Sequence, residues 1–544
     1  MSKARDIADS TKTLDVDGGT IKLDGNYPVG TNNVALGDAA LDSNVSGAQN
    51  TAIGSDALTA NTADDNTAVG WSALSANSSG SLNTAVGRST LQLNTTGSSN
   101  SALGYAPLSN NTSGSNNVAI GRQALLSNTT ASKNTAVGYQ ALYDNTTAER
   151  NTAVGRIAAA NTTTGADNTV MGSAALTTNT TGASNVAIGA SALRLNTTAS
   201  NNTAVGYQAG YSFTTGGYST VMGFQAAQNA TAGGTVAIGH SSAKNNTGAG
   251  ITAVGSNALT TNTSGVSSTG IGTNALNDNT TGSNNVALGR NALYNNTTAS
   301  NNTAVGYQAG YSNTVGAFGT FVGDGAGRST TTANNNTFFG HNAGYFATGA
   351  GNNFFGRSDQ GFGAGQLVTT GGKNTILGGY NGNQGGLDIR TSNNNIVLSD
   401  GDGIPRLYYN NSVSAWRSAE IYNNTSGSSA NMVVLASGTI ARSTSSLRYK
   451  RDVTNATHGL SDVLNLRSVT YKGLGREDGD IVHGGLIAEE VHDAGLTEFV
   501  QYNDNGEPDA LDYGNMVSLC IKAIQEQQAT ITALTDRITA LEGA

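Results

Sequence analysis

A single cysteine, Cys520, and four prolines in 544 residues set the first limits. One thiol excludes an internal disulfide framework and any zinc site built from several cysteines. Scarce proline beside 72 glycines, with no Gly-X-Y period, excludes both collagen and proline-rich linkers. Charged residues make up 12 % of the chain and aromatics 6 %, and charge this sparse argues against charge-driven disorder. The 27 basic and 36 acidic residues leave a formal net charge of −9. They form no basic patch, so nucleic acid is not an expected partner. No apolar run reaches the roughly 18 residues of a membrane-spanning helix, so no membrane insertion is expected. The start, Met1-Ser2-Lys3-Ala4-Arg5-Asp6-Ile7, lacks the apolar segment of a secretory signal. Synthesis in a cytoplasm, with release by another route, is the expectation. No residue pattern calls for a cofactor or a metal.

What the chain has in abundance is repetition. The phrase Asn-Thr-Ala-Val-Gly, with variants, sets its glycine at Gly37, Gly54, Gly70, Gly87, Gly104 and onward to Gly356 and Gly378. Most steps are 17 residues and a few are 16. Four residues after the glycine stand Leu91, Leu108, Leu125, Leu142, Leu176 and Leu193. A second asparagine keeps the same period at Asn94, Asn111, Asn128, Asn145, Asn179 and Asn196. A fixed short period means stacked, alike units. Val, Ile and Thr runs bounded by Asn-Thr-Thr-Gly turns favour strands over helices, and one period is long enough for about two short strands and two turns. Each unit is too small to bury a core alone, so stability comes from stacking. At ~4.8 Å per stacked strand, about twenty units give a rod on the order of 100 Å long. Stacked Asn and Thr side chains can bond into ladders. The inward Ala, Val and Leu make a slender interior, and so little apolar material suggests a core shared between subunits. The expected fold is therefore mainly β: an elongated homotrimeric β-repeat, β-roll or β-helix-like, with a small α+β C-terminal domain.

Within the repeats, the many Asn-X-Ser/Thr triplets read as ladder and turn residues rather than glycosylation acceptors. After about residue 310 phenylalanines replace small aliphatics. Phe338-Phe339 and Phe354-Phe355 fall on the Val/Leu positions of the phrase, which reads as a better-filled core; a carbohydrate-binding face is the alternative. Trp71, Tyr105, Tyr139, Tyr207 and Tyr307, each following a repeat glycine, are the better candidates for stacking on sugar rings. Asn394, Asp400 and Asp402 lack the spacing and final Glu of an EF-hand, so a β-turn is expected there. The domains are then a head at 1–31, with an alternating strand-like segment up to Leu23; a repeat shaft at 32–378; a β-rich neck at 379–444; and a C-terminal domain at 445–544.

The repeat phrase, as in Asn134-Thr135-Ala136-Val137-Gly138-Tyr139-Gln140-Ala141-Leu142, is similar to the head repeats of trimeric autotransporter adhesins and to repeat regions of phage tail fibres. Ser2-Lys3-Ala4-Arg5-Asp6-Ile7 resembles the attachment ends of some phage tail fibres. Residues 445–541 resemble the intramolecular chaperone and auto-processing domain of phage tail spikes and endosialidases. Three elements carry that resemblance: Ser445-Ser446-Leu447-Arg448-Tyr449-Lys450, Gly484-Gly485-Leu486-Ile487-Ala488-Glu489-Glu490-Val491, and Leu511-Asp512-Tyr513 leading into a terminal helix. Asn394 to Gly401 is similar to an element that precedes the chaperone in that family. The resemblance implies a scissile bond at Thr444–Ser445, with Ser445 as nucleophile and Lys450 as general base of a single-turnover auto-protease. A free lysine, with a pKa near ~10.4, becomes a base only when desolvated, so cleavage would report completed folding. A separation of five puts the two side chains on opposite faces of a strand and ~140° apart on a helix, so a turn or a neighbouring subunit must pair them. Ser446 stands where the family has Asp or Asn; if that side chain shapes the oxyanion site, cleavage is slow or absent. His483 is the auxiliary candidate.

The tail, about 514–541, reads as a coiled coil. Val517, Ile524, Ile531 and Ile538 take the a positions, and Cys520, Gln527, Leu534 and Leu541 the d positions. Three strands follow from the resemblance, not from the heptads. The resulting expectation is a virion tail fibre or appendage. Its N-terminus would bind the phage tail or baseplate, and its repeats a host-surface glycan or protein receptor. The rivals are a polysaccharide depolymerase, which needs paired carboxylates that the repeats lack, and a bacterial trimeric adhesin.

Overall fold

Each repeat places Thr, Ala and Val in a three-residue strand, and a strand's period of two lets only the middle side chain face inward. The computed structural model shows this coil after coil. It describes residues 14–15, 22–23, 31–412, 414–418, 432–434, 440–442, 451–472, 481–503 and 505–543. These fall into two compact units, Met1–Asn424 and Thr425–Ala544.

In the first unit the strands from Val34–Leu36 to Ile396–Ser399 pair in parallel, each with its counterpart one coil on, apart from a small antiparallel pair of Asn383–Gln384 with Leu387–Asp388. Thr135, Ala136 and Val137 lie opposite Thr152, Ala153 and Val154, residue for residue. The structure is a mainly β solenoid of 17-residue period. The expectation of two strands per period is corrected: one coil holds one strand. Its far side is held by non-extended backbone in which alternate residues are left-handed. Gln140 (φ 54°) and Leu142 (φ 51°) are examples. The alternation sends successive N–H groups to opposite neighbours. Gln140 donates back to the Arg122 carbonyl at 3.0 Å, and Leu142 forward to the Ala158 carbonyl at 3.0 Å. Left-handed backbone costs a leucine roughly 1–2 kcal/mol, offset here by burying that leucine completely. The repeat glycine is obligatory for a separate reason: a Cβ on Gly138 (φ +132°) would lie 2.5 Å from the Gly155 carbonyl oxygen.

The interior is thinner than the sequence suggests. Ala136 and Leu142 are fully buried, whereas the third strand position, read as inward from the phrase, points out. Two buried asparagine ladders complete the interior. Asn128 Nδ2 donates to Asn111 Oδ1 at 2.7 Å and to the Ala131 carbonyl at 3.0 Å. Asn134 N–H donates to Asn117 Oδ1 at 2.9 Å, and its Nδ2 to the Ala148 carbonyl at 2.9 Å. A buried amide is stable only when its donors and acceptors are met, and stacking identical coils meets them by repetition.

The phenylalanines divide between core and surface. Phe321, Phe338 and Phe354 take the inward alanine position and are buried. Phe339 and Phe355 take the outward one and are exposed, as are Phe318, Phe346 and Phe362. The expectation that both members of each pair fill the core is corrected accordingly. Each inward ring occupies space released where the left-handed leucine has become glycine. A Cβ on Gly310 would lie 2.8 Å from the Phe321 ring, and one on Gly344 2.6 Å from Phe338. Ala plus Leu is thus exchanged for Phe plus Gly at similar total volume, the kind of swap cores tolerate.

The parallel ladder does not stop at Gly378. It runs through Ile396–Ser399, which then pairs antiparallel with Pro405–Asn410, itself antiparallel to Ala415–Arg417. Asp400 forms the turn, accepting from Ile404 N–H at 2.8 Å, Asp402 N–H at 3.1 Å and Arg406 Nε at 2.7 Å. These bonds, the Ile404 N–H first, hold its carboxyl below the usual range. Near the N-terminus, Leu14–Asp15 pairs antiparallel with Lys22–Leu23.

The second unit contains helix α1 (Leu460–Asn465), helix α2 (Ala488–Asp493) and helix α3 (Tyr513–Glu542). Its strand pairs are Met432–Val434 with Ile440–Arg442, Val469–Lys472 with Val482–Gly485, and Val500–Tyr502 with Pro508–Leu511.

Candidate functional site in the C-terminal unit

Two of the three motif elements meet in space. The Gly484-Gly485-Leu486 stretch ends the strand Val482–Gly485, and Tyr513 opens α3. Leu486 N–H donates to the Tyr513 hydroxyl at 2.7 Å, and that hydroxyl donates to the Leu486 carbonyl at 3.2 Å. A Cβ on Gly485 would stand 2.6 Å from the same hydroxyl oxygen, whereas one on Gly484 would meet nothing within 4 Å. Gly485 is therefore the glycine the contact needs. Asp512 caps α3 by accepting from Asn515 N–H at 3.3 Å, a standard way to satisfy a helix's first donors. Leu511 sits in the strand paired with Val500–Tyr502. The two elements close over a small core of Val491, Leu496, Phe499, Val500, Met516 and Leu519.

Charged groups fasten the periphery. Arg467 pairs with Glu490, with Nε to Oε2 at 3.2 Å, and this hydrogen bond holds the Glu490 carboxyl below its usual range. Glu526 on α3 accepts from the Leu460 N–H at 2.8 Å, at the start of α1. That bond, followed by Lys522 at 3.4 Å, lowers the Glu526 pKa. His458 lies 3.7 Å from both Asp462 and Glu498.

Thr444, Ser445, Ser446 and Lys450 lie outside the described residues. His483 is described: it is half-buried in its strand opposite Tyr471, with ring centroids 5.7 Å apart. Among the described residues no three His, Cys, Asp or Glu side chains are grouped to hold a metal. No described helix is long and apolar enough to cross a membrane.

Helix α3 buries Met516, Leu519 and Ala523 against its own unit. The heptad residues Val517, Ile524, Ile531, Leu534, Ile538 and Leu541 are exposed, as is Cys520. On the solenoid, Trp71, Tyr105, Tyr139, Tyr207 and Tyr307 are exposed and share the position after the repeat glycine. Sequence reasoning missed the outward row at the third strand position, which includes Leu103, Ile120, Met171, Met222 and Leu288. The available signal was strand alternation itself: an inward alanine forces its neighbour out.

A family model described as the chaperone of endosialidase matches residues 445–501. No curated protein and no solved structure matches the chain. The matched segment contains α1, α2 and the strand pair carrying His483, and it begins at Ser445.

Proposed function

We propose that the chain is the subunit of a homotrimeric phage tail fibre or comparable virion appendage. Its solenoid contacts a host-surface receptor, glycan or protein. Residues 1–31 attach it to the phage tail or baseplate, and its C-terminal unit brings three chains into register. The observation that carries this reading is a pair of unsatisfied apolar surfaces. One is the outward row of Val, Ile, Leu, Met and Phe that continues along the solenoid, with Leu103 at 49 % exposure and Leu377 at 57 %. The other is the exposed heptad seam of α3. An apolar row that is exposed at its larger members and half-buried at its valines marks an interaction site when it runs the length of a solenoid. A partner that follows the row must advance by the same rise per coil, and a parallel copy of this chain does so automatically. Heptads that find no partner among the described residues of their own unit are met by the same copies. Registering the chains first lowers the cost of nucleating a fold whose strand pairs each join one coil to the next.

On this reading the unit carrying the endosialidase-chaperone match cuts itself away between Thr444 and Ser445. The Ser445 hydroxyl attacks the Thr444 carbonyl while Lys450, desolvated on assembly, takes its proton and passes it to the departing Ser445 amine; water then hydrolyses the resulting ester and frees the Thr444 carboxylate. The test is the intact mass of wild-type protein beside Ser445→Ala, together with the sedimentation mass of each. A trimer of chains ending at Thr444, with an uncut trimer for the variant, is expected. A full-length wild type would refute self-processing, and a monomer would refute the assembly.

A further inference from the structure

One row of the solenoid surface has a composition that packing does not require. The position after the repeat glycine reads Trp71, Arg88, Tyr105, Arg122, Tyr139 and Arg156 over six successive coils, all exposed. Each arginine lies against the rings. The Arg88 guanidinium is 4.9 Å from the Trp71 ring centroid and 5.8 Å from that of Tyr105. Arg122 is 5.7 Å from Tyr105 and 5.8 Å from Tyr139, and Arg156 is 5.9 Å from Tyr139. Among the described residues no carboxylate pairs with Arg88, Arg122 or Arg156. By contrast, Arg150, Arg390, Arg406 and Arg467 all have acidic partners. In a chain of net charge −9, this track of cations keeps clear of acids. Its flanks are neutral, apolar on the strand side and including Gln123 and Gln140 on the other, where the two amides bond at 3.1 Å.

We infer that this row binds a linear acidic polysaccharide, a glycan bearing carboxylates on alternate sugars; the inference rests on the receptor-contact reading above. The tyrosine rings, each held between two guanidinium groups, turn their edges outward and act as apolar spacers that set the cations two coils apart. Guanidinium groups match carboxylates in a two-pronged geometry, and their stacking on the rings holds them in place beforehand. The repeat distance fits as well. One coil advances ~4.8 Å and the row of six spans about 24 Å, so successive sugars of an extended chain meet ring and guanidinium in turn. Beyond Arg156 the row continues as Ser173 and Ala190, which ends the track.

The experiment measures binding of hyaluronan and unsulfated chondroitin oligosaccharides, and of their carboxyl-reduced forms, to the full chain and to an Arg88→Gln/Arg122→Gln/Arg156→Gln variant. Binding by wild type that weakens with salt, falls about tenfold or more in the variant and is lost on carboxyl reduction is expected. Equal affinity in wild type and variant would overturn the inference. So would a variant whose sedimentation mass falls, since the row would then be a subunit contact. If wild type binds neither probe yet still adsorbs to host cells, the acidic-glycan assignment fails while receptor contact stands. Loss of both would remove the two together.

Discussion

Thr162 interrupts an asparagine ladder, and restoring the ladder should stabilise the solenoid locally. From Asn61 to Asn128 each amide oxygen accepts from the next coil, as Asn111 Oδ1 does from Asn128 Nδ2 at 2.7 Å. Asn145 lies directly before Thr162 in the row, and its buried Oδ1 has no hydrogen-bond partner. The same defect recurs at Asn313 Oδ1, before Thr330. A buried unmet acceptor costs about 1–3 kcal/mol. Thr162→Asn supplies the donor and loses one buried methyl, worth about 0.8 kcal/mol. The net gain is about 0.2–2.2 kcal/mol, a factor of roughly 1.4–40 in the local opening equilibrium. A stacked array opens in parts, so the assay is native-state hydrogen exchange of the backbone amides between Asn145 and Asn179. Exchange there should slow by that factor, with coils far along the array unchanged. The mirror variant, Asn111→Thr, orphans Asn94 Oδ1 and should speed exchange over residues 94–128 by a similar factor. If Thr162→Asn leaves exchange unchanged while Asn111→Thr is equally silent, the ladder amides do not govern stability and the reasoning fails.

Three further outcomes are expected. Gly138→Ala forces a Cβ to within 2.5 Å of the Gly155 carbonyl at a positive φ. It should destabilise the adjoining coils by more than about 1 kcal/mol, seen as new proteolytic cleavage there; full protection would refute the close approach. Glu526 has a pKa lowered from its ordinary 4.5, first by the Leu460 N–H. Its contribution is therefore complete above that value and lost as pH falls through the depressed one. Glu526→Gln should flatten the melting temperature of the C-terminal unit against pH in that acid window, and an unchanged slope would contradict the assignment. Gly485→Ala should cost about 1–3 kcal/mol by crowding the Tyr513 hydroxyl, and Tyr513→Phe should relieve part of that loss in the double variant. Additive losses in a denaturant titration would show that the two residues do not meet.

The period, the stacking and the amide ladders were legible because the same residue types return at the same phase, and a buried Asn has few other uses than to bond its own copy. The inward and outward sides of the strand were less legible. Val is the more apolar residue, yet Ala136 is the buried one, because the period of two turns only the middle residue of the strand inward; where valine holds that middle place, as Val170 does, it is buried instead. The left-handed backbone at Leu142 left no trace, since composition marks such positions only when they are Gly or Asn. Once Gly310, Gly327 and Gly344 are seen at that phase, the phenylalanines beside them follow. In the C-terminal unit the motif phrases located the domain, but the contact between Leu486 and Tyr513 spans 27 residues and has no local signal. The Ser445 and Lys450 assignment still rests on the resemblance.

The turn-back after Ile396–Ser399 has a consequence for how such a stack ends. A parallel ladder offers at its last coil the same unfilled donors and acceptors that every earlier coil offered to its successor. Left bare, that surface is a template on which another molecule could continue the series end to end. Pro405–Asn410 occupies it with a strand running the opposite way, and Ala415–Arg417 covers that strand in turn. Reversal of direction thus withdraws the parallel template at this end: a strand laid beyond Ala415–Arg417 would no longer extend the series of 17-residue coils.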